Sequence, residues 1–164
     1  MPPSDGPPRE PAPDESRHRP LVVYLLIAVN VLVYVYTATE ASSFQYNSEA
    51  PLFEAWSLLP PLVWQGQWWR LVTSGFLHFG LIHLAVNMWS LWVIGKDLER
   101  LLGRRRFLMV YFGSLLGGAV IALLFSPANY QIAGASGAVF GLMGGLVAVL
   151  AWARLPLRSA IIII

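Results

Sequence analysis

Four apolar runs without an Asp, Glu, Lys or Arg divide this chain, and each is long enough to cross a bilayer as a helix. They cover residues 21–38, 71–94, 107–125 and 133–153. A helix needs about 20 apolar residues to span the hydrocarbon core. In lipid each backbone N–H and C=O must be satisfied within the segment, so such runs are expected to be helical. A fifth run opens at Leu155 and continues to Ile164. The expected fold is therefore an all-α polytopic membrane protein with four spans and the start of a fifth. Composition agrees, with 56% of residues hydrophobic and 12% charged, against roughly 25% charged in a soluble domain.

The basic residues orient these spans. Cytoplasmic loops carry an excess of Lys and Arg. Arg9, Arg17 and Arg19 precede the first run; Lys96, Arg100, Arg104, Arg105 and Arg106 separate the second from the third; Arg154 and Arg158 follow the fourth. If spans alternate, ten of the eleven basic residues share one side and only Arg70 faces the other. The N-terminus is then cytoplasmic. Residues 1–20, rich in proline and charge, read as a disordered cytoplasmic tail, and 21–164 as one membrane domain. An N-terminus of this kind and length favours a bacterial inner membrane. Residues 39–70 form a long external loop holding Trp56, Trp64, Trp68 and Trp69. Tryptophan prefers the headgroup level, so short interfacial helices are expected there. The chain has no cysteine, which excludes disulfides and thiolate chemistry, and the small net charge of +2 gives no sign of nucleic-acid binding.

Two of the runs carry residues with chemical potential. Gly134-Ala135-Ser136-Gly137 opens the fourth. A serine flanked by glycines can be a nucleophile, and a helix N-terminus offers free N–H groups to a developing oxyanion. Ser136 could equally be one more small residue on a packing face, since Gly134, Gly137, Gly141, Gly144 and Gly145 recur at spacings of three and four. Gly113, Gly117 and Gly118 repeat the pattern in the third run. In the second run His83 and Asn87 are four apart and share one helix face. Buried polar residues in a membrane commonly mark function, although polar contacts between helices would also explain them. The alternating topology brings His83, Asn87 and Ser136 to similar depth near the external face.

Taken together, Trp69-Arg70, His78, His83-Leu84-Ala85-Val86-Asn87, Gly95, Glu99 to Gly103, and Gly134-Ala135-Ser136-Gly137 ahead of Phe140-Gly141 resemble the rhomboid intramembrane serine proteases. The resemblance covers about residues 20–164 and implies a six-helix membrane core. It implies Ser136 as nucleophile in the Gly134–Gly137 motif. His83, Asn87 and the Ser136 N–H would stabilise the oxyanion, and His78 would brace the adjoining loop. Arg70 and Glu99 would be structural. The implied substrates are transmembrane segments of other membrane proteins, cut near their external end, with no metal or organic cofactor.

Two departures accompany the resemblance. The family's general base is a histidine on a sixth span, and no histidine follows His83 in these 164 residues. The expectation is a C-terminally truncated chain that is inactive as it stands, because a serine hydroxyl without a base is a poor nucleophile. Phe140 stands where many relatives carry tyrosine. The alternative to a protease is a non-catalytic relative that binds transmembrane segments.

Overall fold

The structure, a computed structural model, describes residues 19–152. The tail up to His18 and the fifth apolar run lie outside the described residues. Everything described is helix, turn or loop apart from one isolated β-bridge. In chain order the helices are α1 (Leu21–Glu40), α2 (Pro51–Trp56), α3 (Pro60–Trp64), α4 (Arg70–Thr73), α5 (Leu81–Leu102), α6 (Arg104–Phe125) and α7 (Ser136–Trp152), with a 3₁₀ turn at Ser74–Phe76. α1 and α6 are each long and apolar enough to cross a membrane. A third such element exists if α4 with the 3₁₀ turn and α5 count as one bent span. α7, at 17 residues, is a shorter apolar helix.

The apolar run 71–94 is not one straight helix. Its first ten residues form α4, the 3₁₀ turn and a loop, and the axis turns by 96° before α5 begins. Gly80 provides the break with φ +103°, and its α-carbon lies against the Gln45 carbonyl, 2.9 Å from where a Cβ would stand. At its far end α5 runs past Ile94 to Leu102 through Lys96, Asp97, Glu99 and Arg100. Hydropathy marks where charge starts, and a helix can continue beyond that point into the headgroup region. The runs 21–38 and 107–125 match α1 and α6 within three residues at each end, and α7 begins three residues inside the run 133–153.

α6 packs along α7 and α1 along α5, while α5 also meets α6 and α7. Their shared core holds Val23, Leu26, Tyr34, Leu91, Leu98, Phe107, Tyr111 and Leu142. The outward side is equally apolar, with Leu25, Leu32, Met109 and Ile121 all more than 60% exposed. Water would disfavour such a surface and lipid would not. Within residues 39–70, α2 and α3 are the short helices expected in that segment. Phe53 and Ala50 pack with Leu77, and Leu58 and Val63 pack with Leu123 of α6. Leu58 and Ile132 exchange both backbone hydrogen bonds at 2.9 Å, stitching the loop to the segment that leads into α7.

Two buried charged residues hold the ends of this assembly. Arg70 donates through Nε to Gln67 Oε1 at 2.7 Å and through Nη1 to the Glu54 and Ser57 carbonyls at 2.8 and 2.6 Å. It gathers the carbonyls that α2 leaves free at its C-terminus. A guanidinium stays charged at any physiological pH. At the opposite end the Glu99 carboxylate accepts from the Val22 and Val23 N–H groups at 3.1 and 2.9 Å. α1 starts after Pro20 with no cap of its own. Glu99 of α5 supplies the cap from across the interface, where a negative group also meets the positive end of the helix dipole. Replacing Glu99 by Ala should therefore cost about 2–4 kcal/mol of stability, and Glu99→Gln less because one acceptor oxygen remains. Reversible unfolding in mixed micelles measures this; wild-type stability for Glu99→Ala would show that the cap contributes nothing.

Candidate active site

Ser136 is the first residue of α7 and is exposed. Val139 N–H is the first amide of this helix to find a backbone carbonyl, that of Ala135, at 3.0 Å. The N–H groups of Ser136, Gly137 and Ala138 thus have no partner among the described residues. The serine opens onto a cavity of about 180 Å³ whose walls include Leu58, Leu71, Ile132 and Phe140, with Ser74 as the other hydroxyl. A water molecule occupies about 30 Å³ in the liquid, so the space is large enough for several.

The position of α7 is set by close backbone approach. A Cβ at Gly118 of α6 would stand 3.0 Å from the Gly137 α-carbon, and one at Gly141 would overlap the Ser114 side chain. Gly113, Gly117 and Gly144 have no such neighbour within 4 Å, so the glycine pattern contains only a few true contact points. Gly134 N–H donates to the Ser74 carbonyl at 2.9 Å, tying the entry to α7 to the bend before α5.

Gly134 is where the two chemistry-bearing segments meet. Its φ of +129° is one that L side chains rarely adopt. A Cβ there would lie 2.8 Å from His83 Cε1, 3.0 Å from His83 Nε2 and 3.8 Å from Ser136 Oγ. The imidazole and the serine hydroxyl thus flank one bare α-carbon, although they are about fifty residues apart in sequence. His83 lies in the first turn of α5. Its Nδ1 accepts from the Phe79 N–H at 3.3 Å, and its ring stacks on Phe79 with 6.1 Å between centroids. An accepting Nδ1 places the proton of a neutral imidazole on Nε2. His83 therefore presents a donor, not a base, toward Gly134 and Ser136.

A family model for the rhomboid domain matches residues 65–164. The chain belongs to the rhomboid family. It is 39% identical over 129 residues to the rhomboid protease GluP of Bacillus subtilis, covering 79% of this chain and 24% of that protein. It is 32% identical over 127 residues to rhomboid-like protease 3 of Toxoplasma gondii, covering 77% and 47%. RHOMBOID-like protein 4 of Arabidopsis thaliana is 39% identical over 114 residues, covering 64% and 29%. The chain thus spans between about a quarter and a half of the length of these relatives, and it is a membrane protein related to rhomboid proteases.

Of the other residues that the resemblance implies, His78 and Asn87 adjoin His83, and Arg70 and Glu99 do not. His78 is fully buried with its ring centroid 5.1 Å from that of His83. Its carbonyl accepts from Asn47 Nδ2 at 3.0 Å, and the same amide nitrogen lies 3.0 Å from Thr37 Oγ1. Asn87 stands one turn deeper on α5, buried, with Nδ2 donating to the His83 carbonyl at 2.9 Å. Its amide is engaged on its own helix, and Asn87 does not line the Ser136 cavity. Gly137 contacts α6, while Arg70 and Glu99 lie away from Ser136 in the two braces described above. Sequence reasoning missed Asn47, Ser74 and Phe79. The hydrogen bonds of Ser74 and Phe79 to this site run through backbone groups, which no side-chain motif can reveal, and Asn47 was one polar residue among many in a loop. Among the described residues no group of three or more His, Asp or Glu gathers as a metal site would require.

Gly134→Ala meets two obstacles, a left-handed φ and the His83 ring. The φ alone should cost about 1–3 kcal/mol. Adding His83→Ala removes the ring, so the double variant should recover about 0.5–3 kcal/mol relative to the sum of the single changes. A double-mutant cycle by unfolding in micelles tests this, and strict additivity would separate Gly134 from His83.

Proposed function

We propose that this chain is the nucleophile- and oxyanion-bearing part of a rhomboid serine endopeptidase, and that Ser136 attacks peptide bonds in transmembrane segments of other membrane proteins. The observation that carries this reading is the convergence of Ser136 Oγ and His83 Nε2 on the Gly134 α-carbon at the N-terminus of α7. Ser136 Oγ forms a bond to the scissile carbonyl carbon and gives its proton to a general base. The carbonyl oxygen takes the negative charge and accepts from the Ser136 N–H and the His83 Nε2–H. The C–N bond then breaks, the amine leaves with a proton, and water hydrolyses the acyl-serine. Fixed donors of this kind contribute about 3–4 kcal/mol each to the transition state. Asn87 would join them by turning its amide away from the His83 carbonyl. His78 braces the His83 turn through Asn47.

The base in this reading is a histidine outside these 164 residues. The chain has three histidines. His18 belongs to the N-terminal tail, His78 is buried behind His83, and His83 already has its Nδ1 occupied and its Nε2 protonated. In the proposed architecture, residues 21–164 form one membrane domain of a six-helix core. Four spans and the start of a fifth lie here, residues 1–20 form a cytoplasmic tail, and the cut falls near the external end of the substrate. A bacterial inner membrane suits that arrangement.

Reconstitution of the full-length protein with a single-span substrate tests the proposal. Ser136→Ala should abolish cleavage and His83→Ala should lower kcat about 100-fold or more. The 164-residue chain alone should show no Ser136-dependent cleavage, for want of a base. Cleavage that survives Ser136→Ala would overturn the assignment. Substrate binding without cleavage by the full-length protein would favour a non-catalytic relative.

A further inference from the structure

A second cavity lies far from Ser136, where α1 and α6 both begin. It has a volume of about 420 Å³, and its walls carry Arg19, Arg104, Arg105 and Arg106 with Glu99 and Leu102. Four arginine residues thus border one space beside a single carboxylate. That carboxylate is already engaged, because both Glu99 oxygens accept from the N-terminus of α1 and Arg104 Nε approaches only to 3.9 Å. The cavity retains a strong excess of positive charge. All four arginine side chains belong to exposed residues, free to turn toward a ligand.

We propose that this cavity binds the headgroup phosphate of an anionic phospholipid. Three observations lead there. The guanidinium fork matches phosphate oxygens in pairs, which a lysine cluster would not. The cavity lies at the shared end of the two helices long and apolar enough to cross a membrane, which puts it at headgroup level. The helix face below it suits an acyl chain: Arg105 and Met109 are four apart on one face of α6, and Met109 is 73% exposed with Leu116 exposed further along. A phosphate held by the arginines therefore has an apolar track running from it along α6. That track selects a lipid over free phosphate. Loose attraction of basic segments to anionic membranes is general; a defined cavity formed by two chain segments is a specific site.

The test is retention of phosphatidylglycerol by the purified chain in phosphatidylcholine nanodiscs. Titrating phosphatidylglycerol should raise the unfolding temperature along a saturable curve. Arg105→Gln with Arg106→Gln should move its midpoint upward, by about fivefold for each arginine lost. Lys96→Gln with Arg100→Gln removes the same charge from the same end but from outside the cavity, and should leave the midpoint unchanged. Equal loss in both double variants would reduce the effect to bulk charge and overturn the site. If inorganic phosphate alone reproduces the stabilisation, the ligand is a free anion and the lipid assignment fails. A linear, non-saturating response to phosphatidylglycerol would also overturn it.

Discussion

The site depends on how closely the backbones of α6 and α7 approach at Gly118 and Gly137. With no Cβ between them, α7 lies near enough to α6 for its first residues to reach the bend before α5. The Gly134 N–H then bonds the Ser74 carbonyl, and the Gly134 α-carbon passes against the His83 ring. A side chain at Gly118 would press on the Gly137 α-carbon, and one at Gly134 on the His83 ring. Dispersion and close packing are the main attractions between helices in lipid, where no hydrophobic force drives them together. Small residues at these few points therefore decide whether two distant segments can form one site.

The remainder of the fold keeps that junction in register. Asn47 links Thr37 at the end of α1 to the His78 carbonyl, and Arg70 collects the loop carbonyls around α2. At the other end Glu99 caps α1 from α5. Each brace joins segments through hydrogen bonds from a buried polar side chain, which are strong in low dielectric, although Asn47 Oδ1 has no partner among the described residues. Polar connection is concentrated at the two ends of the helices, while the middle is held by apolar packing.

Much of this was legible in the sequence. The uncharged runs located α1, α6 and α7 closely, because hydropathy is a direct physical requirement for crossing lipid. The bend at Gly80 was not legible, since the residues on both sides of it are apolar and only the backbone changes. His83 and Ser136 could be placed at similar depth from alternation of the spans, but their convergence on Gly134 requires the left-handed backbone of that glycine. The tautomer of His83 depends on the Phe79 N–H, which has no side-chain signature. Asn87 shares the His83 face as its spacing requires, yet its amide turns onto its own helix. Spacing sets the face, and local hydrogen bonding sets the direction.

Under the proposed function, the labour is divided between His83 and a separate base. His83 presents Nε2–H toward the serine and can stabilise negative charge, but it cannot accept the serine proton in the same tautomer. The most direct test is a structure of the full-length protein after phosphonylation by a fluorophosphonate. The account predicts the adduct on Ser136 Oγ, with the phosphonyl oxygen about 2.7–3.1 Å from both His83 Nε2 and the Ser136 backbone nitrogen. An adduct on another residue, or a phosphonyl oxygen directed away from His83, would contradict it.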